Sequence, residues 1–259
     1  MKTHILSLFL LFSLSSHAGV AILSDLDDTI KITNAGSILE ANYNGLANQT
    51  YFTGMPEFMR AGRKHAEALY ILSASPGFIE PIIRSTLKKN QIPFDGLILK
   101  STTGLLSSTL RFKVKAIQKL MRTTQHDFVL YGDDVNHDPE VYMEIMKEFP
   151  NRVLAAYIHV VKGRRIEGDL ADKIVRYFGA YELAVREKLA GRLEGDDVDQ
   201  VLKVILNEEK AGRLIPKFAQ CPEPKVSFEW MERVLSANEI LVYAEKMASA
   251  CGRRELVSQ

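Results

Sequence analysis

Residues 20–33, VAILSDLDDTIKIT, constrain this chain more than any other stretch. A short apolar run, Ala21-Ile22-Leu23, delivers Asp25, Asp27 and Asp28 in close succession and then Thr29. A run of this kind reads as a buried strand, and a buried strand that ends in acids carries an electrostatic problem. Neighbouring carboxylates repel, and burial raises the pKa of each, unless a cation or a substrate offsets the charge. Oxygen ligands of this type suit Mg²⁺, which is commonly held by one or two carboxylates together with a substrate phosphate. A strand followed by an acidic, capping turn is the competing reading, and the rest of the chain decides between the two.

Short apolar runs recur at 69–72, 96–99, 128–131 and 153–160. Between them lie segments with helical spacing, one starting at Pro56 and others over 77–89, 111–121 and 140–149. On the 111–121 segment, Val114, Ile117 and Leu120 share one face. Strands alternating with helices give a parallel sheet wrapped on both faces. Ligands of such sheets bind outside the carboxyl ends of the strands. The first, second and fourth strands end in Asp25-x-Asp27, Ser73-Ala74-Ser75 and Gly132-Asp133-Asp134. Three polar strand ends are therefore expected to converge on one crevice, and folding alone gives no reason to concentrate acids there.

From about residue 168 the pattern turns helical, over 169–189, 197–209 and 228–250, with a stripe formed by Ile174, Phe178, Tyr181 and Val185. A proline-punctuated connection covers 216–224. This divides the chain into an α/β domain at 19–165 and a helical extension at 166–259 packed on it. The first 18 residues, MKTHILSLFLLFSLSSHA, combine a basic start, an apolar run too short for a bilayer and a Ser-His-Ala ending. They read as a signal peptide cleaved after Ala18, which implies export to a periplasm or beyond. A retained N-terminal anchor is the alternative. No later stretch is long and apolar enough to span. Thirty-three basic residues against 32 acidic ones offer no basis for a nucleic-acid partner. Export permits a disulfide between Cys221 and Cys251, although spacing alone does not show that they meet.

Asp-x-Asp-x-Thr after a first strand, serine after a second, lysine opening a helix and Gly-Asp-Asp after a later strand occur here in order. The arrangement resembles the four motifs of the haloacid dehalogenase (HAD) superfamily of phosphotransferases. In more detail, SDLDDTIK, ILSASP and GDDVNHDPEVY are similar to the catalytic domain of the actin-patch phosphatidate phosphatase family, of which lipins are more distant relatives. The similarity runs over 20–157 and leaves out the helical tail. The fold it implies is a HAD-like, Rossmannoid parallel sheet with helices on both faces and little or no cap.

The resemblance also implies roles. Asp25 is the expected nucleophile, giving an aspartyl-phosphate, with Mg²⁺ bridging its carboxylate and the phosphoryl oxygens. The Asp27 backbone carbonyl is expected on the metal and its side chain as the acid and later the base. Asp28 reads as a turn or capping residue and Thr29 as loop support. Ser73, rather than Ser75, is expected to bond the phosphoryl group, and Lys113, rather than Lys115, to neutralise it. Asp133 is the expected acidic metal ligand from the fourth strand, with Asp134 or Asp138 completing the site. His137 reads as loop packing, and Lys31, Asn34 and His159 receive no role beyond local structure. The short separations between motifs leave little room for a cap, so the site is expected to be open. That favours a phosphoester carried on something large, such as a phospholipid at a surface, with the 34–53 loop or the tail as a small roof. A soluble phosphoester or phosphoprotein substrate, and a non-catalytic binding protein on the same fold, are the alternatives.

Overall fold

A computed structural model describes residues 19–34, 50–101, 108–223 and 227–256. The proposed signal peptide and most of the 34–53 loop lie outside the described residues. Six parallel strands form one sheet: β1 (Val20–Asp25), β2 (Ala68–Pro76), β3 (Gly96–Lys100), β4 (Asp127–Asp133), β5 (Val153–His159) and β6 (Ile174–Tyr177). Their order is β3-β2-β1-β4-β5-β6, so β1 lies in the middle and every neighbour runs parallel to the next. The order reverses at β1, where β2 and β4 flank it, and this is where a crevice opens in sheets of this kind.

The period-2 alternation of the strands divides the core into two layers. Ile22, Leu69, Ile71, Val129 and Tyr131 face one layer, with residues from α1 (Met55–His65), α2 (Glu80–Lys89), α5 (Ala180–Leu189) and α6 (Gly195–Asn207). Ala21, Leu23, Leu72, Phe128 and Leu130 face the other, where α3 (Thr109–Thr123) contributes Val114, Ile117 and Met121 and α4 (Asp138–Glu148) contributes Val141 and Ile145. Strands buried on both faces are continuous apolar runs for this reason. The α/β architecture with parallel strands agrees with the expectation from sequence.

Two helical readings of the tail are corrected. Residues Ile174–Tyr177 form β6 alongside β5, so the sheet continues past residue 165. The apparent stripe of Ile174, Tyr181 and Val185 belongs to no single helix: Ile174 packs in the α3/α4 layer, whereas Tyr181 and Val185 pack in the opposite one. The run Ile-Val-Arg-Tyr is rich in strand formers, and Gly179 follows in an extended conformation before α5 begins. The 228–250 segment is also broken, into a 3₁₀ turn at Glu229–Arg233 and α8 (Ala237–Leu256), with the short α7 (Ala211–Leu214) preceding both. Ser236 explains the second start. Its Oγ accepts from the Glu239 N–H and the Glu239 carboxylate accepts from the Ser236 N–H, a reciprocal cap.

Cys221 and Cys251 are bonded to one another, which ties the segment after α7 to α8. Among the described residues, no helix is long and apolar enough to cross a membrane.

Candidate active site

Four segments meet at the carboxyl edge of the sheet: the end of β1, the end of β2, the start of α3, and the β4–α4 turn. Asp25 is the last residue of β1 and is buried. Asp133 ends β4 and Asp138 opens α4, both fully buried. Carboxylate oxygens of the three lie within 4.8 Å of one another. Gly132 makes the approach possible, because a Cβ there would sit 2.6 Å from Asp138 Oδ2 and 2.8 Å from the Tyr142 hydroxyl. Only glycine lets the first turn of α4 close onto β4. The Asp133 N–H then donates to Asp138 Oδ2 at 3.3 Å.

Among the described residues, one cation is bonded into this group. Lys113, on the first turns of α3, is 3 % exposed, and its ammonium donates to Asp25 Oδ1 at 2.7 Å and Asp138 Oδ1 at 2.5 Å. Lys115 is exposed on the same helix. Burial opposes the Lys113 charge, but Asp138, Asp25 and Asp133 outweigh it and hold the ammonium above the usual lysine range. A single ammonium does not balance three carboxylates. Burial pushes the Asp25 carboxyl up to about 8, with Asp138 and Asp27 adding to the rise and Lys113 opposing it. Asp133 rises for the same reasons, burial first and then Asp138 and Asp25. Three buried, converging carboxylates with surplus negative charge are a donor set that fits a hard divalent cation.

Asp27 approaches from the turn after β1 and is held from the side of β2. Ser73 Oγ donates to Asp27 Oδ2 at 2.9 Å, and Ser75 Oγ reaches the same oxygen at 3.4 Å. The Ser75 N–H in turn donates to Ser73 Oγ at 3.1 Å, which fixes the nearer hydroxyl. Burial raises the Asp27 carboxyl above its ordinary range, against the pull of Lys31 and the Ser73 bond.

Comparison with known proteins bears on the same span. The catalytic-domain family described as "Phosphatidate phosphatase APP1, catalytic domain" matches residues 20–160. The chain belongs to this family. Among curated relatives, phosphatidate phosphatase APP1 of Saccharomyces cerevisiae is 26 % identical over 154 residues, covering 54 % of this chain and 26 % of the relative. An uncharacterized protein of Schizosaccharomyces pombe is 23 % identical over 153 residues, covering 55 % of this chain and 25 % of its own length. The chain thus matches about a quarter of the length of these relatives. A solved structure of a Pnkp1/Rnl/Hen1 complex overlaps 53 % of this chain and 45 % of its own, at 18 % identity and a TM-score of 0.41.

Of the family residues expected from sequence, Asp25, Asp27, Ser73, Lys113, Asp133 and Asp138 are brought together. Asp134 is not. Its Oδ1 accepts from the N–H groups of Val161 and Lys162 at 2.8 and 2.7 Å, and its Oδ2 from that of Arg164 at 3.0 Å. Asp134 shapes the loop after β5, so Asp138 is the acid that joins Asp25 and Asp133. Thr29 does more than stiffen its own turn, since its hydroxyl donates to Asp133 Oδ2 at 3.2 Å. Asp28 takes a left-handed conformation, φ 59°, and its Oδ1 accepts from the N–H groups of Thr33 and Asn34. That closes the turn that aims Asp27.

His159 carries a role that its sequence position did not disclose. It ends β5 fully buried, and its Nδ1 lies 2.7 Å from the Asp28 carbonyl. A carbonyl only accepts, so Nδ1 carries the proton and ties the far strand to the acidic turn. Phe52 packs edge-on against the ring and Tyr177 of β6 stacks on it. A lone histidine after an apolar run gives no sequence signal of this contact. His137 is exposed before α4 and its side chain caps nothing.

Proposed function

We propose that this protein is a Mg²⁺-dependent phosphomonoesterase that acts on phosphatidate or a closely similar phospholipid through an aspartyl-phosphate. The single observation that carries the reading is the pairing of two differently treated carboxylates, Asp25 on the Lys113 ammonium and Asp27 on the Ser73 hydroxyl, beside the Asp133–Asp138 pair. Family membership supplies the phosphatase class, and the name of the yeast relative supplies the phosphatidate.

The Asp25 carboxylate forms the new O–P bond while the bond from phosphorus to the lipid oxygen breaks. Asp27, whose carboxyl burial shifts toward the protonated form, delivers a proton to the departing alkoxide. Water then attacks the aspartyl-phosphate and gives its proton to the Asp27 carboxylate, which releases inorganic phosphate and restores Asp25. Ser73 orients Asp27 before substrate arrives and can turn its hydroxyl to a phosphoryl oxygen once the phosphate is seated. Lys113 opposes the rise that burial imposes on the Asp25 carboxyl and offsets charge on the phosphoryl group. Mg²⁺, held by Asp25, Asp133 and Asp138 with the Asp27 carbonyl, would supply neutralisation of the meeting anions.

The disulfide between Cys221 and Cys251 supports an oxidising destination, consistent with export of the chain. A panel of phosphoesters with Mg²⁺ tests the substrate reading. Phosphate release from phosphatidate in mixed micelles should exceed release from nucleotides, sugar phosphates and phosphopeptides. A preference for any of the soluble esters would overturn the lipid assignment while leaving the chemistry in place.

A further inference from the structure

Phe78 is the most exposed large apolar side chain among the described residues, with 66 % of its surface in solvent, and Ile82 follows one turn later. Both follow soon after Ser73 and Ser75 in the chain. The chain passes from Ser73 and Ser75 through Pro76 and Gly77 straight into the 3₁₀ turn Gly77–Ile79, none of which is buried. Pro76 pairs with Lys100 at the end of β3, and a Cβ on Gly77 would lie 3.4 Å from the Lys100 carbonyl. Lys100 opens onto a shallow groove of about 470 Å³ that it shares with Ile98, Phe112, Arg111, Lys115 and Lys119.

Three of those cations have an ordered arrangement. Arg111, Lys115 and Lys119 recur every four residues on α3 and so form one exposed stripe. Lys113, on the same helix, turns inward to Asp25. Some other cations of this protein are paired, as Arg63 is with Asp95, Arg84 with Glu80 and Lys147 with Asp169. Arg111, Lys115 and Lys119 make no ion pair among the described residues. A chain with 33 basic and 32 acidic residues has no general surplus that would put them there.

An unpaired basic stripe together with protruding apolar side chains matches an anionic bilayer. Apolar side chains enter the headgroup boundary, and lysines and arginines gain from the negative surface potential. We infer that the crest at Phe78 and Ile82 and the α3 stripe of Arg111, Lys115 and Lys119 dock the catalytic mouth onto an anionic lipid surface. The substrate's place in that surface rests on the phospholipid reading above; the docking itself does not.

The whole protein, kept in EDTA so that the site takes no part, is sedimented with phosphatidylcholine vesicles containing about 30 % phosphatidylserine. Wild type pellets with these vesicles, less so as salt rises, and not with pure phosphatidylcholine. At about fivefold per cation, Arg111→Gln/Lys115→Gln/Lys119→Gln lowers the partition coefficient roughly a hundredfold. Phe78→Ser/Ile82→Ser lowers it at least about tenfold, since each loses most of its insertable apolar surface. Both variants hydrolyse a soluble aryl phosphate, with Mg²⁺, as fast as wild type and lose activity on vesicles. Failure of wild type to bind anionic vesicles, equal binding to neutral ones, or variants that bind like wild type would overturn the docking. Loss of aryl phosphatase activity in both variants would also overturn it, by placing these residues in the site or the fold. If wild type cleaves no phosphoester, the phosphatase reading fails and the EDTA sedimentation still decides the docking.

Discussion

Replacing Lys113 by methionine removes the only ammonium that, among the described residues, is bonded to the buried carboxylate group, while keeping most of the side-chain volume. Lys113 is 3 % exposed and bridges Asp25 and Asp138 at 2.7 and 2.5 Å, so both acids lose their partner at once. Breaking a buried ion pair from one side costs about 3–5 kcal/mol, because a charge is left uncompensated. For a chain of this size that corresponds to a fall in Tm of about 6–20 °C. Two further readings follow from the same geometry. Lowering the pH lets the stranded carboxylates take up protons, so the deficit of Lys113→Met shrinks on the acid side. Adding Mg²⁺ stabilises each folded protein that binds it, by about 2.7 kcal/mol at a hundredfold excess over its own Kd. Turnover falls about 10²–10³-fold even where folding is rescued, the scale of losing one preorganised charge at the reacting group. The assay is calorimetric melting of wild type and variant at several pH values, with EDTA or Mg²⁺, alongside phosphate release. A variant that melts within 2 °C of wild type in EDTA, or a deficit that grows as pH falls, would refute the account of this cluster.

Asp134→Ala should lower stability by about 3 kcal/mol, because three backbone N–H groups lose a charged acceptor, yet leave Mg²⁺ affinity measured by titration calorimetry near wild type. Ser73→Ala should cost about 10–100-fold in kcat, and Ser75→Ala less than about fivefold, in line with their 2.9 and 3.4 Å approaches to Asp27. Glu182 offers a pH test away from the site. Burial pushes its carboxyl up to about 8 despite bonds from the Phe178 N–H and the Tyr243 hydroxyl. The unfolded chain ionises near 4.5 while the folded chain keeps its proton, so Glu182 lowers stability as pH rises from about 4.5 to 8, by of order 4 kcal/mol at completion. Glu182→Gln should therefore gain stability relative to wild type across that window in urea melts at pH 5 and 9; parallel profiles would count against it.

The strands were legible because burial on both faces leaves continuous apolar runs, and their polar ends announced the crevice before any coordinate did. Asp25, Asp27, Ser73, Lys113 and Asp133 fall on those ends or one helix turn away, where chain position alone fixes direction. The choice between Asp134 and Asp138 was not legible. It depends on Gly132 admitting α4 close to β4, and on the loop after β5 turning three N–H groups toward Asp134. Both are contacts between segments remote in sequence. β6 was hidden by a coincidence of spacing, since Ile174 and Tyr181 mimic one helical face although the sheet lies between their environments. The tie between His159 and Asp28 joins residues 131 positions apart, and no local pattern reports it.

Asp25→Asn is the most direct measurement of the central claim. The substitution keeps the shape of the side chain and leaves Lys113 its bond to Asp138, so the fold should survive and circular dichroism should be unchanged. Phosphate release from phosphatidate with saturating Mg²⁺ is expected to drop by at least about 10³-fold, as for loss of a covalent nucleophile. A folded Asp25→Asn protein that retained activity within about tenfold of wild type would contradict the claim that Asp25 attacks phosphorus.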